Sequence, residues 1–200
     1  MSTETDSSLK ALQNGDRQAF AHFMEMNSAK IYRLALKMTG NPQDAEDILQ
    51  ETFLKAYRGI KNFAGRSSLS TWLYRIATNE ALMSLRKKQL STVSLDEPLV
   101  GEEGEQEPRQ IVDWCCLPEK ELLSTETRHW LDKAIGRLSP ALRVVFLLRD
   151  VEGLSTLEAA QALDLSEEAV KTRLSRARMR LREDLSVYFG EQVEKQNNGA

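Results

Sequence analysis

Six cations lie near the C-terminal end of this 200-residue chain with no carboxylate among them. They are Lys171, Arg173, Arg176, Arg178, Arg180 and Arg182. Cations this close together on one helix repel one another, and a polyanion would neutralise them. The chemistry that this spacing favours is therefore phosphate binding rather than bond making. The alternative is an ordinary solvated basic helix, which is what a charge run taken alone usually is.

The residues around this run predict a helix-turn-helix. Ser155, with Glu158 three residues later, matches a capping box, and Ser166 is a plausible N-cap for a second helix. The first helix repeats apolar residues at helical spacing in Leu157, Ala160 and Leu163, and the second does so in Val170, Leu174, Ala177 and Leu181. Opposite the second stripe we predict Arg173, Arg176 and Arg180, with Lys171, Arg178 and Arg182 on its flanks. A short helix, a tight turn and a basic helix fit the major groove of DNA.

A second basic stretch suits single-stranded nucleic acid. Residues 52–79 contain no acidic residue, and they carry Lys55, Arg58, Lys61, Arg66 and Arg75 interleaved with Phe63, Trp72 and Tyr74. Phosphates need cations and unstacked bases need flat partners, which this mixture supplies. The Gly- and Ser-containing loop at 65–70 could wrap an extruded base. The alternative is that aromatic residues at helical spacing lie in the core, which we favour for Trp72.

The residues offer few candidates for catalysis or metal binding. Asp44, Glu46, Asp47 and Glu51 form the only dense carboxylate group that is a candidate for acid–base or metal chemistry. Leu54 lies beside them, so a docking face with an acidic rim and an apolar centre is one interpretation, and a single exposed leucine is the other. Cys115 and Cys116 are adjacent and the chain has only two histidines, which favours incidental thiols. We predict no catalytic residue, metal, cofactor or small-molecule substrate.

The surrounding pattern predicts an all-α protein. Asp16, Gly40 and Asn41 mark helix ends, and further helices are expected at 42–59, from Thr71 or Trp72 to about Lys88, and four times after Thr125. The net charge of −3 hides an uneven distribution. Residues 1–90 hold 13 Lys or Arg against 9 Asp or Glu (+4), residues 91–126 hold 2 against 10 (−8), and residues 127–200 hold 12 against 11 (+1).

This distribution predicts two helical domains joined by a flexible acidic linker. The expected boundaries are residues 1–90, a linker at 91–124, residues 125–193 and a tail at 194–200. The N-terminus has no basic and apolar secretion signal, and no run is apolar enough to cross a membrane. We therefore expect a cytoplasmic protein that is not inserted in a membrane.

These pieces together resemble a bacterial sigma factor of the extracytoplasmic-function (group IV) type. The resemblance is carried by segments in the order and spacing of the family. Residues 44–57 resemble sigma region 2.2, residues 63–71 and 72–79 regions 2.3 and 2.4, residues 138–149 region 4.1, and residues 153–182 region 4.2. It implies that the first domain is the region 2 helical bundle and that the second is the region 4 helix-turn-helix.

The resemblance implies roles that spacing alone could not assign. Core RNA polymerase would be the partner, through its β′ clamp helices and β flap, with promoter DNA and an anti-sigma factor. The clamp helices would contact Asp47, Gln50, Glu51 and Leu54. The −10 element would be captured by Phe63, Arg66, Ser67, Ser68, Trp72, Arg75 and Asn79. The −35 element would be read by Lys171, Thr172, Arg173, Ser175, Arg176 and Arg180.

Two other functions fit parts of the chain. A stand-alone repressor or activator could use the same helix-turn-helix, but no dimerisation signature accompanies it. A nucleic-acid enzyme would need the carboxylate group at 44–51 for metal or acid–base chemistry. The family resemblance instead implies a promoter-specificity subunit with no active site of its own.

Overall fold

A computed structural model describes residues 9–92 and 125–197, with side chains placed for 9–90 and 130–186. Every regular element in these residues is helical, which confirms the all-α prediction. The predicted acidic linker, apart from residues 91 and 92, lies outside the described residues, as do 198–200 of the tail. None of the described helices is long and apolar enough to cross a membrane.

The N-terminal half, residues 9–92, has three long helices: α1 (Arg17–Thr39), α2 (Pro42–Gly59) and α3 (Leu69–Thr92). The Asp16 side chain accepts hydrogen bonds from the backbone N–H groups of Gln18 and Ala19, as expected of an N-cap. Gly40 ends α1 at φ 69°, a left-handed conformation that glycine adopts without steric cost. Asn41 then caps α2, so the predicted boundary between these helices is confirmed.

The third helix is longer than predicted. It begins at Leu69 rather than at Thr71 or Trp72, and it continues to Thr92 rather than to Lys88. The reason at the N-terminal end is local: Ser68 Oγ accepts a hydrogen bond from Thr71 N at 3.0 Å and thereby caps the first turn. Ser68 therefore lies at a helix end, not within an extended loop.

The C-terminal half, residues 125–197, contains α4 (Thr125–Arg137), α5 (Pro140–Phe146), α6 (Thr156–Leu163) and α7 (Glu167–Asn197). A π-helical segment, Leu147–Val151, continues α5. The two halves contact each other, mainly where α3 packs on α6. One cluster of buried apolar residues runs from Leu12 in the first half to Leu181 in the second.

Candidate nucleic-acid interface

The helix-turn-helix is formed by α6 and α7. Local hydrogen bonds fix both the start of α6 and the turn between the two helices. The Ser155 hydroxyl accepts from Glu158 N, while Ser155 N donates to the Glu158 carboxylate at 2.8 Å, which confirms the capping box. These donors lower the pKa of Glu158, the backbone N–H of Ser155 most of all. Asp164 ends α6 in a left-handed conformation (φ 57°), and Ser166 Oγ accepts from Ala169 N at 3.1 Å to start α7.

The second helix turns its apolar stripe inward as predicted, with Val170, Leu174, Ala177 and Leu181 all buried. The prediction for the first helix was wrong in one position. Leu157 is 54% exposed, and Ala159, Ala160 and Ala162 supply the buried face instead. Small residues there allow the backbone of α6 to approach its neighbours closely.

Most of the residues predicted to face the −35 element are exposed on α7. Those that are open to solvent are Lys171, Thr172, Ser175, Arg176 and Arg180. Arg173 is only partly exposed, because it lies three residues after Val170 and four before Ala177 and so lies beside the buried stripe rather than opposite it. Met179, which the sequence did not single out, is 45% exposed on the same helix.

Two cations of the run have carboxylate partners. Arg178 donates to both oxygens of Asp150, at 2.9 Å from Nε and 2.7 Å from Nη2, a bidentate pair that raises the pKa of Arg178. Arg180 lies 3.9 Å from Glu183. Within the described part of the chain, Arg176 has no ion pair. Asp150 comes 28 residues before Arg178, so no pattern within the run could have predicted this neutralisation.

A basic groove opens along one flank of α7. Its volume is about 420 Å³, and it is lined by Arg149, Thr156, Lys171, Leu174, Ser175, Arg178, Met179 and Arg182. Arg149 comes from the π-helical segment and Thr156 from the first turn of α6, so three elements meet at the groove. Arg178 and Arg182 belong to the predicted basic run but not to the set predicted to read the −35 element. Arg149 was not predicted at all, because only the tertiary fold brings it to this helix.

At the predicted −10 loop, the ring of Phe63 packs against that of Trp72 in the first turn of α3. The rings of Phe63 and Trp72 lie 5.2 Å apart at a tilt of 50°, and both side chains are half-buried. Trp72 also lies over Gly59, where a Cβ atom would approach the indole to 3.3 Å. Between the two aromatics, Gly65 takes a positive φ of 68°, and Arg66 is exposed. Ser67 is half-buried and Ser68 exposed.

Helix α3 presents the remaining predicted −10 residues on one side. Trp72, Arg75 and Asn79 follow the helical repeat, with Arg75 and Asn79 exposed. Tyr74 does not belong to this surface, because it is only 6% exposed and its hydroxyl donates to Glu152 at 2.6 Å. Of the three aromatics interleaved with cations, Tyr74 is therefore the one buried in the interior.

The predicted polymerase-binding residues lie along α2. Asp47 and Gln50 are exposed, Leu54 is 49% exposed, and their spacing of three and four places them on one helix face. Glu51 is half-buried beside Lys55, which also binds Glu80 at 2.6 Å. Tyr57, three residues after Leu54, is 46% exposed, and its ring packs edge-to-face with that of Phe20.

The carboxylates of the acidic group have different partners. Asp44 binds Lys88, Glu51 lies near Lys55, and Asp47 accepts from Gln43 at 3.5 Å. Over the residues that the structure describes, no three His, Cys, Asp or Glu side chains converge where they could hold a metal ion.

Two family models match the chain. Sigma-70 region 2 matches residues 23–90, and Sigma-70, region 4 matches residues 128–181. The ECF RNA polymerase sigma factor SigW of Bacillus subtilis is 38% identical over 177 residues, which cover 88% of this chain and 94% of SigW. The RNA polymerase sigma-H factor of Pseudomonas aeruginosa is 33% identical over 183 residues, or 89% of this chain and 92% of that protein.

Two solved structures are similar to this chain in fold. The sigma factor RpoE of Bartonella quintana, in complex with the anti-sigma factor NepR, aligns with a TM-score of 0.62 and 26% identity over 84% of this chain and 97% of that one. CnrH, in complex with the cytosolic domain of CnrY, aligns with a TM-score of 0.64 and 22% identity over 90% of this chain and 96% of that one. The likeness to CnrH is one of fold.

Proposed function

Because the chain belongs to the extracytoplasmic-function sigma factors of the sigma-70 family and is thus a transcription initiation factor, we propose how its surfaces divide that task. The C-terminal half binds the −35 element as duplex, and the N-terminal half binds core RNA polymerase and the −10 element. The chemistry of RNA synthesis and its metal ions belong to the polymerase. The place of action is the cytoplasm, where the polymerase and the promoters are.

The −35 element lies in contact with α7. Thr172, Ser175 and Arg176 are exposed on the helix and can read base edges in the major groove. The basic groove that contains Arg149, Lys171 and Arg182 receives the adjacent phosphates, and this neutralisation releases counterions. The observation that carries the proposal is this capped helix-turn-helix, whose second helix buries its apolar stripe and presents cations to solvent.

The −10 element contacts the loop and the exposed side of α3. An unpaired base finds an aromatic surface at the Phe63–Trp72 pair, and the backbone and hydroxyl groups of residues 65–68 can bind its edge. Arg75 and Asn79 extend this surface along the helix. Capture of the base shifts the equilibrium toward open DNA, which is the contribution of this half to initiation.

The polymerase binds the α2 face defined by Asp47, Gln50 and Leu54, with Glu51 at its edge. Exposed Leu54 and Tyr57 supply apolar area, and the carboxylates supply charge for a basic partner surface. An anti-sigma factor is the regulatory partner that we propose, supported by the NepR complex of the related RpoE. Such a partner would compete with the polymerase for region 2 or region 4.

In vitro transcription tests the whole proposal. The purified chain is added to core RNA polymerase with a library of randomised promoters, and transcripts are sequenced. We expect enrichment of two separate DNA blocks, with no enrichment by core polymerase alone. The control is the Leu54→Ala variant, which should lower the yield from every promoter without changing the enriched sequences. If the wild-type chain with core polymerase enriched neither DNA block, the proposal would be overturned.

A further inference from the structure

Asp150 lies against the basic helix α7, near the end of the π-helical segment Leu147–Val151. Its two carboxylate oxygens accept hydrogen bonds from Arg178, at 2.7 Å from Nη2 and 2.9 Å from Nε. The Asp150 side chain is 24% exposed, whereas that of Arg178 is 54% exposed. The helix dipole disfavours a carboxylate near the C-terminal end of a helix, so Asp150 is stabilised by Arg178 rather than by its own helix.

Arg178 is the middle member of a row of three cations on α7. Lys171, Arg178 and Arg182 all line the basic groove and are spaced by seven and four residues. At about 1.5 Å per residue, Arg178 lies about 10 Å beyond Lys171 and about 6 Å before Arg182 along the helix axis. Over the residues that the structure describes, neither Lys171 nor Arg182 has an ion pair. The row therefore has one neutralised member between two unpaired charges.

The carboxylate of Asp150 holds Arg178 in the way that a phosphate would. A guanidinium binds carboxylates and phosphates through the same pair of parallel N–H groups, so the two anions compete for one edge of the side chain. Asp150 occupies the edge formed by Nε and Nη2. A DNA phosphate approaching that edge would also meet the negative charge of Asp150. The pair thus adds no net charge to the row, and its neutralisation by DNA releases no counterion.

The side chains that we place against base edges are separate from this pair. Thr172, Ser175 and Arg176 are exposed, and within the described part of the chain the Asp150 carboxylate bonds Arg178 and none of these three. Phosphate contacts strengthen binding to any sequence, whereas base contacts distinguish one sequence from another. Asp150 therefore acts on the part of the binding free energy that all DNA shares.

We propose that Asp150 limits sequence-independent DNA binding, because it takes the place of a phosphate at Arg178. This inference rests on the proposed function, in which α7 contacts duplex DNA. Sites that differ from a promoter are present in very large excess, and each phosphate contact strengthens binding to all of them. A chain that offers one cation fewer is bound to such sites less often and is more available to core polymerase.

Salt-dependent binding of a duplex of random sequence tests the role of Asp150. The full chain is titrated against the labelled duplex between about 50 and 200 mM salt, because the slope of the logarithm of affinity against the logarithm of salt concentration reports the phosphates neutralised. We expect Asp150→Asn to bind roughly three- to tenfold more tightly at the lowest salt, with a slope steeper by about 0.9. Asp150→Glu keeps the charge and should have the wild-type slope. An Asp150→Asn variant that binds no more tightly than the wild type, or with no steeper slope, overturns the proposal.

Two further variants separate this role from a general effect of charge. Asp184→Asn is the matched control, since it removes one carboxylate 4.0 Å from Arg137, and neither residue lines the basic groove. Its slope should stay within about 0.3 of the wild-type slope. Asp150→Asn combined with Arg178→Gln removes both charges of the pair and should restore the wild-type slope. If Arg178 instead binds a phosphate and Asp150 orients it, the double variant has a slope shallower by about 0.9, which contradicts the proposal. Urea unfolding checks that every variant is folded.

Transcription by the holoenzyme distinguishes this inference from the proposed function. With the promoter library, Asp150→Asn and the wild type should enrich the same bases, because the base-reading side chains are unchanged. If neither protein enriches a promoter sequence, the proposed function fails, while the duplex titration still decides the role of Asp150. If Asp150→Asn changes which bases are enriched, Asp150 acts on base reading rather than on phosphate binding, and the inference is wrong.

Discussion

At the scale of single residues, the cations of α7 are not equivalent. Arg178 is held by both oxygens of Asp150, and Arg180 lies near Glu183. Arg176 is exposed and, among the residues described, has no carboxylate partner. A charge that is already paired gains less from a phosphate or a base than a charge that faces only water. Arg176, like the exposed Lys171, is therefore expected to contribute more to DNA binding than Arg178 or Arg180.

We predict that Arg176→Ala costs about 1–3 kcal/mol in binding a cognate −35 duplex, the usual value of a direct base contact. The holoenzyme is titrated against duplexes that differ by one base pair, at several salt concentrations. Arg137→Ala is the control, since Arg137 is an exposed arginine of α4, 4.0 Å from Asp184. Equal losses on all sequences, with a salt slope smaller by about 1, would instead assign Arg176 to a phosphate.

We predict that Leu54→Ala weakens the complex with core polymerase by about 1–2 kcal/mol, because an apolar side chain at the centre of a docking face becomes buried there. Its effect on the free energy of unfolding should stay within about 0.5 kcal/mol, since the side chain is 49% exposed. Met83→Ala, at a 58% exposed position of α3, is the control. Fluorescence anisotropy of labelled protein against core polymerase gives the affinities, and equal losses in both variants would count against the α2 face.

At the scale of helices, local signals set where elements begin and end. Asp16, Asn41, Ser155 and Ser166 each accept a backbone hydrogen bond at the predicted position. These bonds span two or three residues, so the sequence contains all the information needed to place them. The capping box at α6 also fixes the entry to the helix-turn-helix.

We predict that Ser155→Ala lowers the free energy of unfolding by about 1 kcal/mol. Hydrogen bonds from Ser155 lower the pKa of Glu158, so the folded state stabilises the ionised carboxylate. This contribution is complete above the ordinary Glu pKa of about 4.3 and is lost as the pH falls through the lowered value. The difference between wild type and variant in urea unfolding should thus shrink at acid pH.

Ser139→Ala is the control for this prediction. Ser139 is also an N-cap, at α5, but its side chain makes no capping hydrogen bond. Its replacement should cost clearly less than that of Ser155. If both replacements lower the free energy of unfolding equally at neutral pH, the hydrogen bonds of the capping box contribute nothing to stability.

What the sequence did not predict depends on residues far apart in the chain. The periodicity of α6 placed Leu157 on a buried face, yet its side chain is 54% exposed. The Tyr74–Glu152 hydrogen bond spans 78 residues and the Arg143–Met38 bond spans 105. No local pattern encodes such partners. The basic groove and the contacts between the two halves therefore became visible only in the tertiary structure, whereas the sequence was enough to predict the fold class and the helix-turn-helix.

At the scale of the whole molecule, Tyr74 links the two halves. Its burial, and then the bond to Glu152, raise the pKa of the phenol, so the neutral hydroxyl is the favoured form in the folded protein. A group whose pKa is raised on folding contributes stability that is complete below its ordinary pKa, about 10 for tyrosine, and lost at higher pH. Near neutral pH the bond between Tyr74 and Glu152 therefore makes its full contribution to the contact between the halves.

We predict that Tyr74→Phe favours separation of the halves by about 1 kcal/mol, since half-buried Glu152 loses its donor. The measurement is the yield of a zero-length carbodiimide cross-link between Lys37 and Asp132, which lie 2.6 Å apart in different halves. It should fall relative to the link between Lys55 and Glu80, which lie 2.6 Å apart within the first half. Tyr32→Phe is the control, because the Tyr32 hydroxyl makes no hydrogen bond within the described part of the chain. In a spectrophotometric titration at alkaline pH, Tyr74→Phe should also remove a tyrosine whose pKa is raised by burial. An unchanged yield would show that the bond does not hold the halves together.

Arg143 has a wider consequence. Its guanidinium, whose pKa burial lowers, donates to the carbonyls of Gly136 and Leu138 in its own half and to that of Met38 in the last turn of α1. The last carbonyls of a helix have no partner within it, so water can replace Arg143 at Met38 without breaking α1. Water can likewise solvate the charged pairs between the halves, Lys37 with Asp132 and Arg75 with Asp164. Hydration can therefore take over these polar contacts, whereas water cannot replace the contacts among the buried apolar residues that the two halves share.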